Sequence, residues 1–178
     1  MPTTRLLDEE GMARALERMA DEIIERCAGG DPPLLVGIQR RGVHLADRLA
    51  TLVSAKVGPV RRGKLDITLY RDDLQQIGPR PVVGETSLPP DINGQTVVIV
   101  DDVLYTGRTI RAALDEFADF GRPRRILLAV LVDRGGRELP IQPDVVGLVV
   151  QTGPHERVDV GVKELDGSDA VDLAQGDG

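Results

Sequence analysis

Asp101 and Asp102 stand side by side after the most apolar short run of the chain, Thr96-Val97-Val98-Ile99-Val100, and lead into Val103-Leu104-Tyr105-Thr106-Gly107-Arg108-Thr109. Two adjacent carboxylates at the end of a strand can accept hydrogen bonds from the vicinal hydroxyls of a ribose. The bend behind them combines two hydroxyls, a glycine and free backbone amides at the start of a helix, where the dipole adds its positive end. Together these groups form a phosphate cradle. Taken alone, an aspartate pair after a strand starts a turn or caps the next helix; the apolar run before it and the amides after it favour the ligand reading. The bend lacks the lysine and spacing of a Walker loop and is no dinucleotide GxGxxG fingerprint, which excludes nucleotide-hydrolase and dehydrogenase readings.

Two more polar corners follow apolar runs: Gln39-Arg40-Arg41-Gly42 and Asp133-Arg134-Gly135-Gly136-Arg137. Guanidinium groups grip phosphate oxygens bidentately, and in open parallel sheets ligands bind beyond the carboxyl ends of the strands, where all three corners fall. Covalent hydrolase chemistry is excluded by the nucleophile inventory. The single cysteine, Cys27, lies on the apolar stripe of a predicted helix and reads as a core thiol, unable to form a disulfide or thiolate cluster within the chain. The two histidines are His44 and His155, and none of Ser54, Ser87 and Ser168 sits in a nucleophile elbow.

A net charge of −7 opposes nonspecific adhesion to nucleic acid, so any RNA role needs a local patch. The short basic clusters at Arg40-Arg41, Arg61-Arg62 and Arg122 to Arg125 read as solvated loop edges when considered alone. No apolar run is long enough to span a bilayer, and the N-terminal residues lack a secretory pattern, so a cytoplasmic protein is expected.

The elements that must position these residues follow from periodicity. Asp8 caps a helix over about 9–27, with Met12, Ala15, Leu16, Met19, Ile23 and Cys27 at helical spacing and Gly29-Gly30 as its stop. Residues 33–38 read as a strand buried on both faces. A second helix runs over about 43–54 with Val43, Ala46, Leu49, Ala50 and Val53 inward and His44 exposed. Lys64 to Tyr70 alternates polar with apolar like a strand with one wet face. Residues 71–90 contain Pro79, Pro81, Pro89 and Pro90 and no periodicity, as expected of a mobile loop over a site. Strands at 96–100 and 125–132 flank a helix reaching Phe120, and Val158, Val160 and Val162 open a C-terminal hairpin over about 157–174. The whole, residues 1–178, reads as one α/β domain around a mostly parallel sheet flanked by helices.

The run Val97 to Thr109 resembles the phosphoribosyl pyrophosphate signature of type I phosphoribosyltransferases: hydrophobics, two acids, then T-G-x-T. Leu65-Asp66-Ile67-Thr68-Leu69-Tyr70-Arg71-Asp72-Asp73, Gly121-Arg122-Pro123 and Leu131 to Pro140 resemble, more narrowly, the PyrR family of pyrimidine-operon attenuation regulators, over about residues 8–165. The resemblance implies the type I fold with a small hood and a flexible loop. It also implies uracil phosphoribosyltransferase activity on phosphoribosyl pyrophosphate and uracil, magnesium bound mainly through substrate, UMP and UTP as nucleotide ligands, pyr leader RNA as a partner, and a homodimer or larger assembly.

Carried over by motif, Asp101 and Asp102 are the catalytic carboxylates. With Val103, Leu104, Tyr105, Thr106, Gly107, Arg108 and Thr109 they would bind the ribose and its 5′-phosphate. Arg40, Arg41 and Arg80 would hold pyrophosphate, with a cis peptide between Arg40 and Arg41. Val132, Asp133, Arg134 and Val158 would meet the base. Against the family's basic RNA face, this chain places Glu17, Asp21, Gly136 and Gln142. Three readings stay open at this point: the uracil enzyme, a nucleotide-responsive RNA regulator without turnover, and a phosphoribosyltransferase for another base.

Overall fold

A computed structural model describes residues 3–67 and 86–176. Its larger sheet is parallel and has five strands in the order β3-β2-β4-β5-β6, with β2 Leu34–Ile38, β3 Arg62–Leu65, β4 Thr96–Leu104, β5 Arg125–Asp133 and β6 Val145–Val149. Apolar runs become central strands because both faces are covered. Along β4, Val98 and Val100 enter the core beneath helices α1 Glu9–Arg26 and α2 Arg41–Val57, while Val97 and Ile99 enter the core beneath α3 Arg108–Phe120.

A second sheet is antiparallel and forms a hood, ordered β1-β8-β7, from β1 Thr3–Leu7, β7 Glu156–Gly161 and β8 Ala170–Gln175, with the short helix α4 Lys163–Asp166 between the last two. Val160, Val162 and Val171 carry its inner face into the α1–α2 core.

Several sequence expectations shift. The second helix starts two residues earlier than expected and ends three later, and it buries Leu45 in place of Val43. Cys27 is only half-buried, because it is the C-cap of α1 and no longer on its inward stripe; burial still pushes its thiol up despite the nearby Arg125. The strand expected at 64–70 is observed as β3, and Leu65, Asp66 and Ile67 are all buried, so no alternating wet face exists there. The returning chain covers them: Lys64 and Ser87 exchange backbone hydrogen bonds at 2.8 Å, and Asp66 N donates to the Thr86 hydroxyl at 2.9 Å. Thr68 to Tyr70 and the 71–85 part of the expected loop lie outside the described residues.

Two strands escaped the sequence reading. β1 has no buried residue and is held by pairing with β8. β6 carries Gly147 at its centre, where a Cβ would stand 2.7 Å from the Leu131 carbonyl oxygen and 3.1 Å from Met19 Sδ of α1, so the helix packs there against a glycine.

His44 is half-buried, contrary to expectation, because the polar face of α2 is where the hood docks. Arg41, His44 and Arg48 recur at helical spacing and meet Asp166, Glu164, and Glu164 with Asp169, respectively. Arg48 donates to both Asp169 oxygens, at 2.9 and 2.8 Å, as well as to Glu164. Burial would raise Asp169, yet Arg48 and the Lys163 amide outweigh it, and both Asp169 and Glu164 sit below the usual carboxylate range.

Arg48→Ala should therefore cost roughly 1–3 kcal/mol by removing charge-assisted bonds from a mostly buried acid, read as a lowered midpoint in thermal denaturation. Because the folded pKa values of Glu164 and Asp169 are depressed, their stabilisation is present above the ordinary carboxylate value of about 4. It is lost as pH falls through the lowered values, and Arg48→Ala should flatten that acid dependence in denaturation measured between pH 7 and 3.

Candidate active site

β4 runs four residues beyond its apolar stretch, so the acid pair lies within the strand and not in a turn after it. Asp101 is 7% exposed and paired to Val130, whereas Asp102 is half-buried. Each carboxylate accepts the amide that follows it, Asp102 N to Asp101 Oδ1 and Val103 N to Asp102 Oδ1, both at 2.8 Å. These local bonds orient both side chains before any ligand arrives.

Beyond Leu104 the chain bends through Tyr105-Thr106-Gly107. Gly107 caps α3 with φ +95°, a left-handed conformation that only glycine adopts without cost. The bend is gripped from behind by the segment after β5. Glu138 N and Leu139 N donate to Thr106 O at 2.9 and 3.1 Å, Arg137 donates to Tyr105 O at 3.0 Å, and Arg108 Nε to Glu138 Oε1 at 2.8 Å. The Arg134 guanidinium stacks 3.8 Å above the Tyr105 ring. Gly136, with φ +81°, faces that ring so closely that a Cβ would lie 2.3 Å from Tyr105 Cε1. A larger residue at 136 is incompatible with Tyr105 in this position.

The pyrophosphate-loop candidates are brought against the acid pair by two glycines. A Cβ on Gly37 would stand 2.4 Å from the Gly42 carbonyl oxygen and the Val43 Cα, and one on Gly42 would stand 2.5 Å from the Val100 carbonyl oxygen and 3.3 Å from Asp101 Cα. Residues 39–42 therefore abut β4 where its carboxylates begin. The cis peptide lies between Gln39 and Arg40, one residue before its expected place. The Arg40 carbonyl already accepts Val43 N at 3.2 Å as α2 starts, so the Arg40–Arg41 peptide belongs to the helical turn.

Arg40 is exposed, and Arg41 is engaged by Asp166 at 2.8 and 3.2 Å. Arg80 lies outside the described residues. Arg41, Asp102 and Val158 share a cavity of about 460 Å³ with Arg5, Asp159 and Asp166, between the acid pair and the hood.

The candidates at the end of β5 are differently committed. Val132 is fully buried. Burial would raise Asp133, but Arg137 and the Gly135 amide hold it below the usual range. Arg134 donates to the Thr152 hydroxyl at 3.1 Å and to the Glu156 carbonyl at 2.8 Å, which fastens this loop to the first residue of β7. Sequence reasoning missed Arg5, Asp159 and Asp166 as site residues; Arg5 and Asp166 carried no local signal, and Asp159 only its place between Val158 and Val160, which line the same cavity.

Residues 2–165 match the model of the phosphoribosyl transferase domain. The chain is 55% identical to the Bifunctional protein PyrR of Thermus aquaticus, over 97% of this chain and 96% of that protein. The PyrR proteins of Clostridioides difficile (52%, over 96% and 97%) and Deinococcus radiodurans (51%, over 97% and 94%) are comparable. The chain belongs to the PyrR family of phosphoribosyltransferases. Among solved structures, hypoxanthine phosphoribosyltransferase of Trypanosoma cruzi superposes with TM-score 0.73 at 17% identity, covering 98% and 97% of the two chains. A hypoxanthine-guanine phosphoribosyltransferase of Bacillus anthracis gives 0.72 at 16%, covering 98% and 99%. These two share the type I fold. The chain is thus a phosphoribosyltransferase whose central parallel sheet carries a separate antiparallel hood.

Gly42→Ala should push residues 39–42 away from Asp101. A displacement near 1 Å at a reacting centre costs about a hundredfold in rate, so turnover should fall by that order while far-ultraviolet circular dichroism stays unchanged; a variant of wild-type rate would show that this contact does not set the site.

Proposed function

We propose that this chain transfers the phosphoribosyl group of phosphoribosyl pyrophosphate to uracil, forming UMP and pyrophosphate, and that the same site lets it respond to uridine nucleotides as a regulator binding pyr leader RNA. The observation that carries the reading is the contact of residues 39–42 with the strand bearing Asp101 and Asp102, directly ahead of the Thr106-Gly107 bend. A pyrophosphate loop, a pair of sugar-hydroxyl acceptors and a phosphate cradle then lie in the order in which the donor carries its groups. The choice of uracil rests on the sequence motifs shared with PyrR proteins, whose printed name describes them as bifunctional.

In this reading Asp101 and Asp102 accept the ribose hydroxyls, and the amides of residues 105–109 with the Thr106 and Thr109 hydroxyls hold the 5′-phosphate. Arg40 and Arg41, with Arg80, face the pyrophosphate. The uracil nitrogen displaces pyrophosphate at the anomeric carbon through a transition state of oxocarbenium character, as in glycoside chemistry. The two carboxylates stabilise the positive charge that develops on the sugar, and the guanidinium groups offset the charge gathering on the leaving group. Uracil lies against Val158 beneath the hood. The carbonyl oxygens at 132–134 keep a second lone pair to read its edge even where the first is engaged.

The donor set fits magnesium: Asp102 lines the cavity as a hard oxygen donor, and among the described residues no three ligating side chains cluster into a closed cage. An ion with one or two carboxylates, waters and substrate phosphates is its usual arrangement. When bound it would neutralise pyrophosphate charge, with Asp102 the residue to hold it.

Incubation with donor, magnesium and each free base in turn tests the choice of base; conversion of a purine but not uracil would reject it. The variant carrying Asp101→Asn and Asp102→Asn should lose UMP formation by at least about a thousandfold, the order that removal of transition-state electrostatics produces, while keeping its thermal midpoint. A gel shift with pyr leader RNA, with and without UMP, tests the regulatory half, and binding should weaken steeply with added salt.

A further inference from the structure

Among the described residues nine arginines pair with carboxylates and eight do not; of those eight, Arg18, Arg40, Arg111 and Arg134 are scattered over the fold, and the other four are Arg61, Arg122, Arg124 and Arg125. All four lie at one end of the molecule, the amino end of the parallel sheet: Arg61 immediately precedes β3, and Arg122, Arg124 and Arg125 lead into and begin β5. The chain has carboxylates to spare at a net charge of −7, yet none pairs with these four guanidinium groups, which two separate segments bring to the same end.

That place is concave. A cavity of about 810 Å³ opens among the residues that precede β2, β3, β4 and β5, with Arg61 and Arg124 as its cations, Asp31 as its one acid, and Asn93, Gln95 and Thr96 as polar walls. Asp31 pairs with neither arginine. Arg124 is held in place by donating to the Thr96 hydroxyl at 3.3 Å and through its own amide to the Gln95 carbonyl at 2.9 Å. Gly30 sits beside it, with room for a Cβ 3.7 Å from the guanidinium, and Gly29 and Gly94, at φ +85° and +72°, have open space where a side chain would stand. Exposed backbone and two guanidinium forks on one hollow, that of Arg124 held by Thr96, are groups that bind phosphate oxygens.

At roughly 3.3 Å per residue along β4, Asp101 and Asp102 are about 17 to 20 Å from Thr96 in the cavity wall, so the cavity is separate from the donor site.

We propose that the cavity at the amino ends of β2 to β5 binds a small polyphosphate-bearing ligand through Arg61 and Arg124. Its volume exceeds what a single inorganic phosphate fills and lies in the range of small-molecule pockets. The convergence of two guanidinium groups in a hollow favours a compact anion over the extended backbone of a nucleic acid, which needs a longer stripe of cations.

Calorimetric titration of the full chain tests this, with inorganic tripolyphosphate and a nucleoside triphosphate as probes at 150 mM salt. Wild-type protein and the Asp101→Asn/Asp102→Asn chain should both bind at this site. The Arg61→Gln/Arg124→Gln chain should lose at least tenfold in affinity there, with phosphoribosyl transfer unaltered. Tighter binding of the nucleoside triphosphate identifies a nucleotide ligand; equal binding identifies the polyphosphate alone. Arg61→Gln by itself, which loses no ion pair, gives the same reading if the double variant is unstable. Binding that survives both arginine changes would overturn the proposal, as would loss in the aspartate variant alone. Capture of an RNA oligonucleotide with no affinity for either probe would assign the surface to nucleic acid instead.

Discussion

The approach of backbone to backbone at Gly37 and Gly42 is the constraint on which the site depends. Side chains at these positions would collide with the start of α2 and with β4 at distances well inside van der Waals contact, so a Cβ at either would separate residues 39–42 from Asp101. The sheet brings β2 and β4 together as parallel neighbours, and the two glycines convert that neighbourhood into a shared site. The bend after β4 is fixed by a third contact of the same kind, where Gly136 lets the Tyr105 ring lie against the loop from β5. Preorganisation here comes from missing side chains as much as from the polar groups they admit.

The hood is joined to this frame by charge. Its apolar residues Val160, Val162 and Val171 extend the α1–α2 core, but its orientation over the acid pair is set by Arg41, His44 and Arg48 on one face of α2 meeting Asp166, Glu164 and Asp169. Arg41 therefore has two affiliations: it follows the cis peptide of the 39–42 corner and it holds the hood. Geometry at the cavity wall is thereby coupled to the element that covers it.

The central strands were legible because parallel strands buried on both faces read as continuous apolar runs, and α1 because its stripe and its Asp8 cap coincide; Asp8 does accept Gly11 N at 2.7 Å. Where side chains face the hood, the same reasoning misled. A polar face on α2 reads as solvated from its composition, yet it is an ion-paired interface, and His44 and Val43 shifted accordingly. β1 and β6 were not legible. The first is stabilised by ladder hydrogen bonds to a strand 167 residues away, as between Thr4 and Leu173 or Arg5 and Asp172, and the second carries a glycine whose reason is the helix packed upon it.

By itself the sequence determined the α/β class, the apolar strand that ends in two acids and the amide-rich bend behind them, because each is a local pattern of period, propensity and chemistry within about a dozen residues. Only the tertiary structure decided which arginines hold a carboxylate and which do not, where the cis peptide falls, and which acids share the cavity with Asp102. Those outcomes depend on distances between segments far apart in the chain, and no local pattern encodes whether a guanidinium will find its partner across the fold.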